Sequence, residues 1–169
     1  MWGCTGFPAD YNPQAKRGCR TMSTLFAFLH HLCAFTLVSA VAIEFTLIRQ
    51  DLTLASARRL QVTDMVLGIA AGTLFIVGLL RVIYFEKGPN YYFHNHAFIA
   101  KFSIFIAIGL LSIIPTVEFL SWRKVLSVGQ VPAISVKKKR LITAVIHGEL
   151  LSIAIILLCA AIMARGGWV

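Results

Sequence analysis

The sequence predicts an all-α integral membrane protein, an antiparallel four-helix transmembrane bundle. Three observations predict it. Hydrophobic residues make up 58% of the 169, and the mean hydropathy is +0.79. Charged residues make up only 14%, where a soluble domain carries about a quarter. A chain of this size cannot bury that much apolar side chain in its own core, so lipid must cover it. Third, four apolar runs reach the roughly 20 residues that a helix needs to cross a bilayer. Backbone groups in lipid must bond internally, which makes each run a helix, and the short alternating segments of a β-barrel are absent.

The opening stretch MWGCTGFPADYNPQAKRGCRT is polar, rich in Gly and Pro, and has no apolar period. Residues 1–21 are expected to be a disordered or artefactual extension, with Met22 as the start and 22–169 as the four-helix domain. A signal peptide over residues 16–42, cleaved after Ser39-Ala40-Val41-Ala42, is disfavoured. Two histidines interrupt its apolar region and the run continues past that point. The four spans are expected at about 25–48, 65–85, 97–122 and 141–164. Short links between them favour an up-down-up-down order.

The formal charge of +9 would suit nucleic acid, but its distribution excludes that reading. The cations concentrate in two links, at 49–64 (Arg49, Arg58, Arg59) and 123–140 (Arg123, Lys124, Lys137, Lys138, Lys139, Arg140). The positive-inside rule places both in the cytoplasm, with both termini and the link between spans two and three outside, which is the periplasm if the cell is a Gram-negative bacterium. The KKKR run is a topology signal resting on anionic headgroups, so the bilayer is the expected partner. Cys33 and Cys159 lie inside spans and there is no CxxC, so no disulfide framework is expected. The five histidines are too dispersed for zinc, and no metal site is expected. No hydrolase elbow, zincin motif, phosphate loop or dinucleotide fingerprint occurs, so the sequence assigns no reaction.

Small residues let membrane helices approach closely. Gly68-x-x-x-Gly72 in span two and Ala144-x-x-x-Gly148-x-x-x-Ser152 in span four are the expected tight faces. Pro115, beside Ser112 and Thr116, should remove a backbone hydrogen bond from span three and kink it.

Ionisable residues inside a membrane are costly, so each is a functional candidate. They fall into two layers. His30, His31, Arg81 and Lys101 lie near the outer surface. The outer hairpin above them carries Tyr84, Glu86, Tyr91, Tyr92, His94 and His96, an interfacial aromatic belt around the Gly88-Pro89 turn. Arg81 and Lys101 can snorkel to the headgroups, or form a cationic pocket for a carboxylate or other anion. Glu44, Asp64, Glu118, His147 and Glu149 lie nearer the cytoplasm. His30 and Glu44 are fourteen residues apart, close to four turns, and share an inward face with Ala34, Leu37 and Val41. His31 points about 100° away. His147 and Glu149 are two residues apart and face different ways. Together with Glu44 and Glu118 they form either a proton path or buried polar contacts.

Several blocks, LHH in span one, the ARRL link, GLLRVIYFEKGPNYYFHNHAFIAK and LLSIIPT, resemble a family of small bacterial predicted inner-membrane proteins of unknown function. The resemblance covers Met22 to the C-terminus. It implies four transmembrane helices and no established activity. A more distant similarity links the chain to the haem-associated four-helix protoporphyrinogen oxidases and the membrane part of copper resistance protein D. The matching positions are His30, Arg58-Arg59-Leu60 and Ala100-Lys101. That similarity implies a haem-associated role for His30 and Lys101. Taken with the outer cationic layer, the expectation is haem b at His30, with His31 as the alternative ligand, and Arg81 and Lys101 pairing with its propionates or with a substrate carboxylate. The oxidase's segment after the first His is replaced here by Ala34-Phe35-Thr36-Leu37, and its His-Ala-Lys by Ile99-Ala100-Lys101, so no substrate or enzymatic activity transfers. The expectation is a haem- or porphyrin-associated redox protein. The alternatives are a small proton or anion transporter, which would oligomerise, or a non-catalytic accessory subunit of a larger membrane complex.

Overall fold

The computed structural model describes residues 13–85 and 95–165. Its regular structure is helical throughout these residues: α1 (Pro13–Arg49), α2 (Leu54–Leu80) continued by a π-helical turn (Arg81–Phe85), α3 (His96–Ser121), a short α4 (Arg123–Ser127) and α5 (Val136–Ala164). α1, α2, α3 and α5 are each long and apolar enough to cross a membrane. Large apolar side chains such as Phe28, Leu110 and Leu158 are exposed on the bundle's outer surface. In water that surface would be untenable, whereas in lipid it is the solvent-facing side.

The helices run past the apolar segments at the basic end. α2 begins at Leu54, not at residue 65, because Thr53 and Ser56 form a reciprocal capping box. Arg58, Arg59 and Gln61 follow as good helix formers. The link expected over 49–64 is therefore a turn of a few residues, and most of it is helix. α5 likewise starts at Val136, capped by Ser135. α1 starts at Pro13, so residues 13–21, read as an extension, continue the helix. Proline suits a first helical turn, and Gln14-Ala15-Lys16-Arg17 sustains it. α4 closes at Gly129, whose φ of +75° is the left-handed conformation that glycine adopts without strain.

α1 packs chiefly on α2 and α3 chiefly on α5, while the α1–α5 and α2–α3 seams are thinner. The backbones of the two diagonal pairs stay apart among the described residues. The four spans therefore form a ring in chain order. Its main core lies in the half nearer the basic links, around Val41, Ile48, Leu60, Phe119, Ile142 and Ile146. Gln61 donates from its side-chain amide to the Phe119 carbonyl, and Arg58 to that of Leu126, tying α2 to the α3–α4 corner. A smaller cluster, Val82 and Phe98 with Phe102 and Met163, packs the hairpin half.

The glycine pair of α2 does not make the close contact expected of it. A Cβ at Gly68 or Gly72 would meet nothing within 4 Å, because α2 buries its Leu60, Leu67 and Val77 face and leaves the glycines on the thin seam with α3. The close approaches lie elsewhere. A Cβ added at Gly148 of α5 would meet Ile108 of α3 at 3.6 Å, and one at Gly78 of α2 would meet the His30 ring at 3.5 Å. Pro115 lies inside α3 and is fully buried there.

Candidate functional site

Three carboxylic acids from three helices converge inside the bundle. α1 presents Glu44 on the face that buries Ala40, Val41, Leu47 and Ile48. α2 presents Asp64 in register with Ala57, Leu60 and Leu67, a spacing of three and four residues that defines one helix face. α5 presents Glu149. Glu44 is wholly inaccessible, and Asp64 and Glu149 are each 5% exposed. The three lie within electrostatic reach of one another. α3 supplies the polar lining: the Thr116 hydroxyl donates to Asp64 Oδ1 at 2.8 Å, and Ser112 lies beside Glu149. Both oxygens of Glu44 are buried with no hydrogen-bond partner, and Ser112 stops short of bonding geometry to either oxygen of Glu149. Asp64 lies about 15 Å along the axis from Leu54, at 1.5 Å per residue. The cluster therefore lies past the polar first turns of α2, where its apolar run begins.

The second polar layer is at the hairpin end. His30 is half-buried, and its Nδ1 is enclosed without a hydrogen-bond partner. Arg81, Lys101 and His31 are within electrostatic reach of its ring. Arg81 opens the π-helical turn, and the Lys101 ammonium lies 5.2 Å from the Phe98 ring centroid. The three helices thus bring together three of the four residues assigned to a haem or anion site. His31 stands apart. It is exposed, its ring is 84° from that of His30, and its Nδ1 donates to the Ala27 carbonyl at 2.6 Å, which spends that nitrogen within its own helix.

Residues 22–167 match the family model described as "Predicted membrane protein (DUF2214)". The chain belongs to the DUF2214 family of predicted membrane proteins. No curated protein and no solved structure matches it.

Several DUF2214 residues singled out from sequence do not join either layer. His147 is exposed, donates from Nδ1 to Thr143 O at 2.6 Å, and packs edge-on against Phe45 at 4.8 Å. It lines an outward groove of about 520 Å³ with Arg49, Lys139 and Arg140, and so is separated from Glu149. Glu118 is paired with Lys138 at 2.8 Å. His147 and Glu118 thus lie away from Glu44 and Glu149, and the acid that lies near those two is Asp64. His96 opens α3 and is exposed. Glu86, Tyr91, Tyr92 and His94 lie outside the described residues.

Asp64 was legible in principle. Its place in the Ala57-Leu60-Asp64-Leu67 register marks it as inward-facing, but the apolar run begins just after it, so it reads as link. Thr116 and Gly78 had weaker signals. A threonine near a proline and a glycine near a span's end are common, and only the tertiary structure shows that one bonds Asp64 and the other backs His30.

Proposed function

We propose that this DUF2214 protein takes up and releases protons within the membrane through Glu44, Asp64 and Glu149. One observation carries the reading: three acids from three helices share a site in which neither the Glu44 nor the Glu149 carboxyl group has a hydrogen-bond partner. Buried carboxyl groups without cationic partners are held by what neutralises them, and the smallest such species is the proton. Among the described residues, no group of three His, Cys, Asp or Glu is disposed as a metal-ligand set, which favours proton over metal chemistry at this cluster. With the basic links inside by the positive-inside rule, the cluster lies toward the cytoplasmic half. A carrier or a membrane pH sensor both use such a site.

The test is infrared difference spectroscopy on the purified protein in lipid, with the pH stepped. A carboxyl C=O band that changes with pH and disappears in Glu44→Gln is the expected result. A spectrum with no pH-dependent carboxyl band that Glu44→Gln removes sinks the proposal.

A second reading is favoured by the enclosed, unpartnered Nδ1 of His30 beside Arg81 and Lys101. These residue types suit a haem: an imidazole for the iron and two cations for the propionates. A bound haem would supply one-electron chemistry, with His30 as the residue that would hold it and Arg81 and Lys101 as the cations that would answer its propionates. An absorption spectrum of protein expressed with ample haem decides it. A Soret band lost in His30→Ala supports this reading, and a featureless spectrum ends it.

A further inference from the structure

A cavity of about 410 Å³ opens between α2 and α3 and reaches α5. Its volume falls within the range of small-molecule sites. Gly72 and Phe75 line one wall, Phe105 and Gly109 the other, and Ser112 and Glu149 also line it. Added Cβ atoms at Gly68, Gly72 and Gly109 would meet nothing within 4 Å, so the glycines maintain the space. The Phe75 and Phe105 rings are nearly parallel, at 2°, with centroids 6.4 Å apart. Glu149 is 5% exposed, and neither of its oxygens is hydrogen-bonded. No lysine, arginine or histidine lines the cavity. The neighbouring outer faces of α3, including Leu110 and Ile113, are exposed to lipid, so the cavity opens sideways toward the bilayer.

We infer that this cavity binds a lipophilic organic cation, an ammonium or phosphonium carried on an apolar body, with its charge on Glu149. The inference rests on the proton reading of the acid cluster and names what Glu149 exchanges its proton for. Each wall contributes a separate piece of chemistry. The glycines provide room, the aromatic rings favour a cation over an anion, and the buried carboxylate supplies a charge that no cation lining the cavity answers. A ligand dissolved in the membrane enters through the α2–α3 seam, the thinner of the contacts α2 makes with its neighbouring spans. When it seats, its positive charge replaces the proton on the same carboxyl group.

Radiolabelled tetraphenylphosphonium binding to the purified full chain, at fixed pH, tests this. Tetraphenylborate, of the same shape and opposite charge, is the competitor. Saturable binding of the cation is expected, with no competition from the borate. Glu149→Gln should weaken it about tenfold to a hundredfold, the loss of charge attraction between a carboxylate and a phosphonium kept roughly 6–10 Å away by its phenyl rings, at an effective dielectric of about 20. Gly109→Leu, which fills the cavity from the opposite wall, should abolish it with the fold intact, and it keeps the test decisive if Glu149→Gln misfolds. Non-saturable uptake, equal competition by the borate or indifference to both substitutions overturns the inference and leaves an acyl chain as the occupant. The infrared band lost in Glu44→Gln is read separately. A band without cation binding leaves the proton reading standing alone, and cation binding without a band removes the proton and keeps the site.

Discussion

The two halves of the bundle treat their polar groups differently. In the half nearer the basic links, Glu44, Asp64 and Glu149 sit beside a dense core in which Phe119, Leu60 and Ile146 are wholly buried. In the hairpin half, His30, Arg81 and Lys101 are only half-buried, and among the described residues the adjoining cluster has two buried members, Val82 and Phe98. Charge depth follows packing. Cations on long stems can reach the headgroups, so the hairpin half needs no close seal around them. Short acidic side chains cannot, so they persist at depth only where packed helices enclose them and polar neighbours such as Thr116 answer part of their need. The difference suggests that the basic half is built around its acids, and that the hairpin half can adjust.

The sharpest way to break that contrast is to remove one core ring from each half. Phe119→Ala should cost about 3–5 kcal/mol, because the side chain is fully enclosed and its cavity cannot collapse between packed helices. Phe102→Ala, at a half-buried position, should cost about 1–2 kcal/mol, in line with partial burial of an apolar side chain. Unfolding of both variants in the same detergent, by heat or denaturant, gives the comparison. Equal losses would mean that the two halves are packed alike and that the acid cluster has no special seal.

Much of this contrast could be read before any coordinates. The four spans, their order and the inward face shared by His30 and Glu44 followed from hydropathy and helical period. So did the separation of polar residues into two layers. The boundaries did not, because the spans extend through capping residues and polar helix formers that hydropathy does not count. The acid cluster was only half legible for the same reason, since Asp64 reads as a cytoplasmic-side candidate at the last position of a link, with nothing to bring it to Glu44 and Glu149. The glycine pair misled because a small-x-x-x-small spacing states where a helix can be approached, not whether another helix comes. At Gly68 and Gly72 the spacing leaves a cavity wall.

A smaller effect sharpens the comparison from inside the acid cluster. Thr116→Val keeps the shape of the side chain and removes the hydroxyl that donates to Asp64 Oδ1 at 2.8 Å. The expected loss is about 1–3 kcal/mol, since the change leaves a buried acceptor unsatisfied. Thr116→Ser, which keeps the hydroxyl, should recover most of it. If valine and serine behave alike, the hydrogen bond contributes nothing and the acids are held by packing alone.

The smallest effect belongs to the surface of the same half, and it shows what does not hold that half together. Lys138 and Glu118 join α5 to α3 at 2.8 Å, but the lysine side chain is 59% exposed. An exposed pair gains little in high dielectric and orders two long side chains, so Lys138→Ala should cost no more than about 0.5 kcal/mol. Screening shortens the reach of such a pair, so the difference from the parent should vanish as salt is raised. Thermal unfolding at low and high salt measures both. A salt-sensitive loss as large as that of Thr116→Val would mean that ion pairs at the rim secure α3 against α5. The contrast between the halves would then lie in surface charge, with the buried core and the acids beside it secondary.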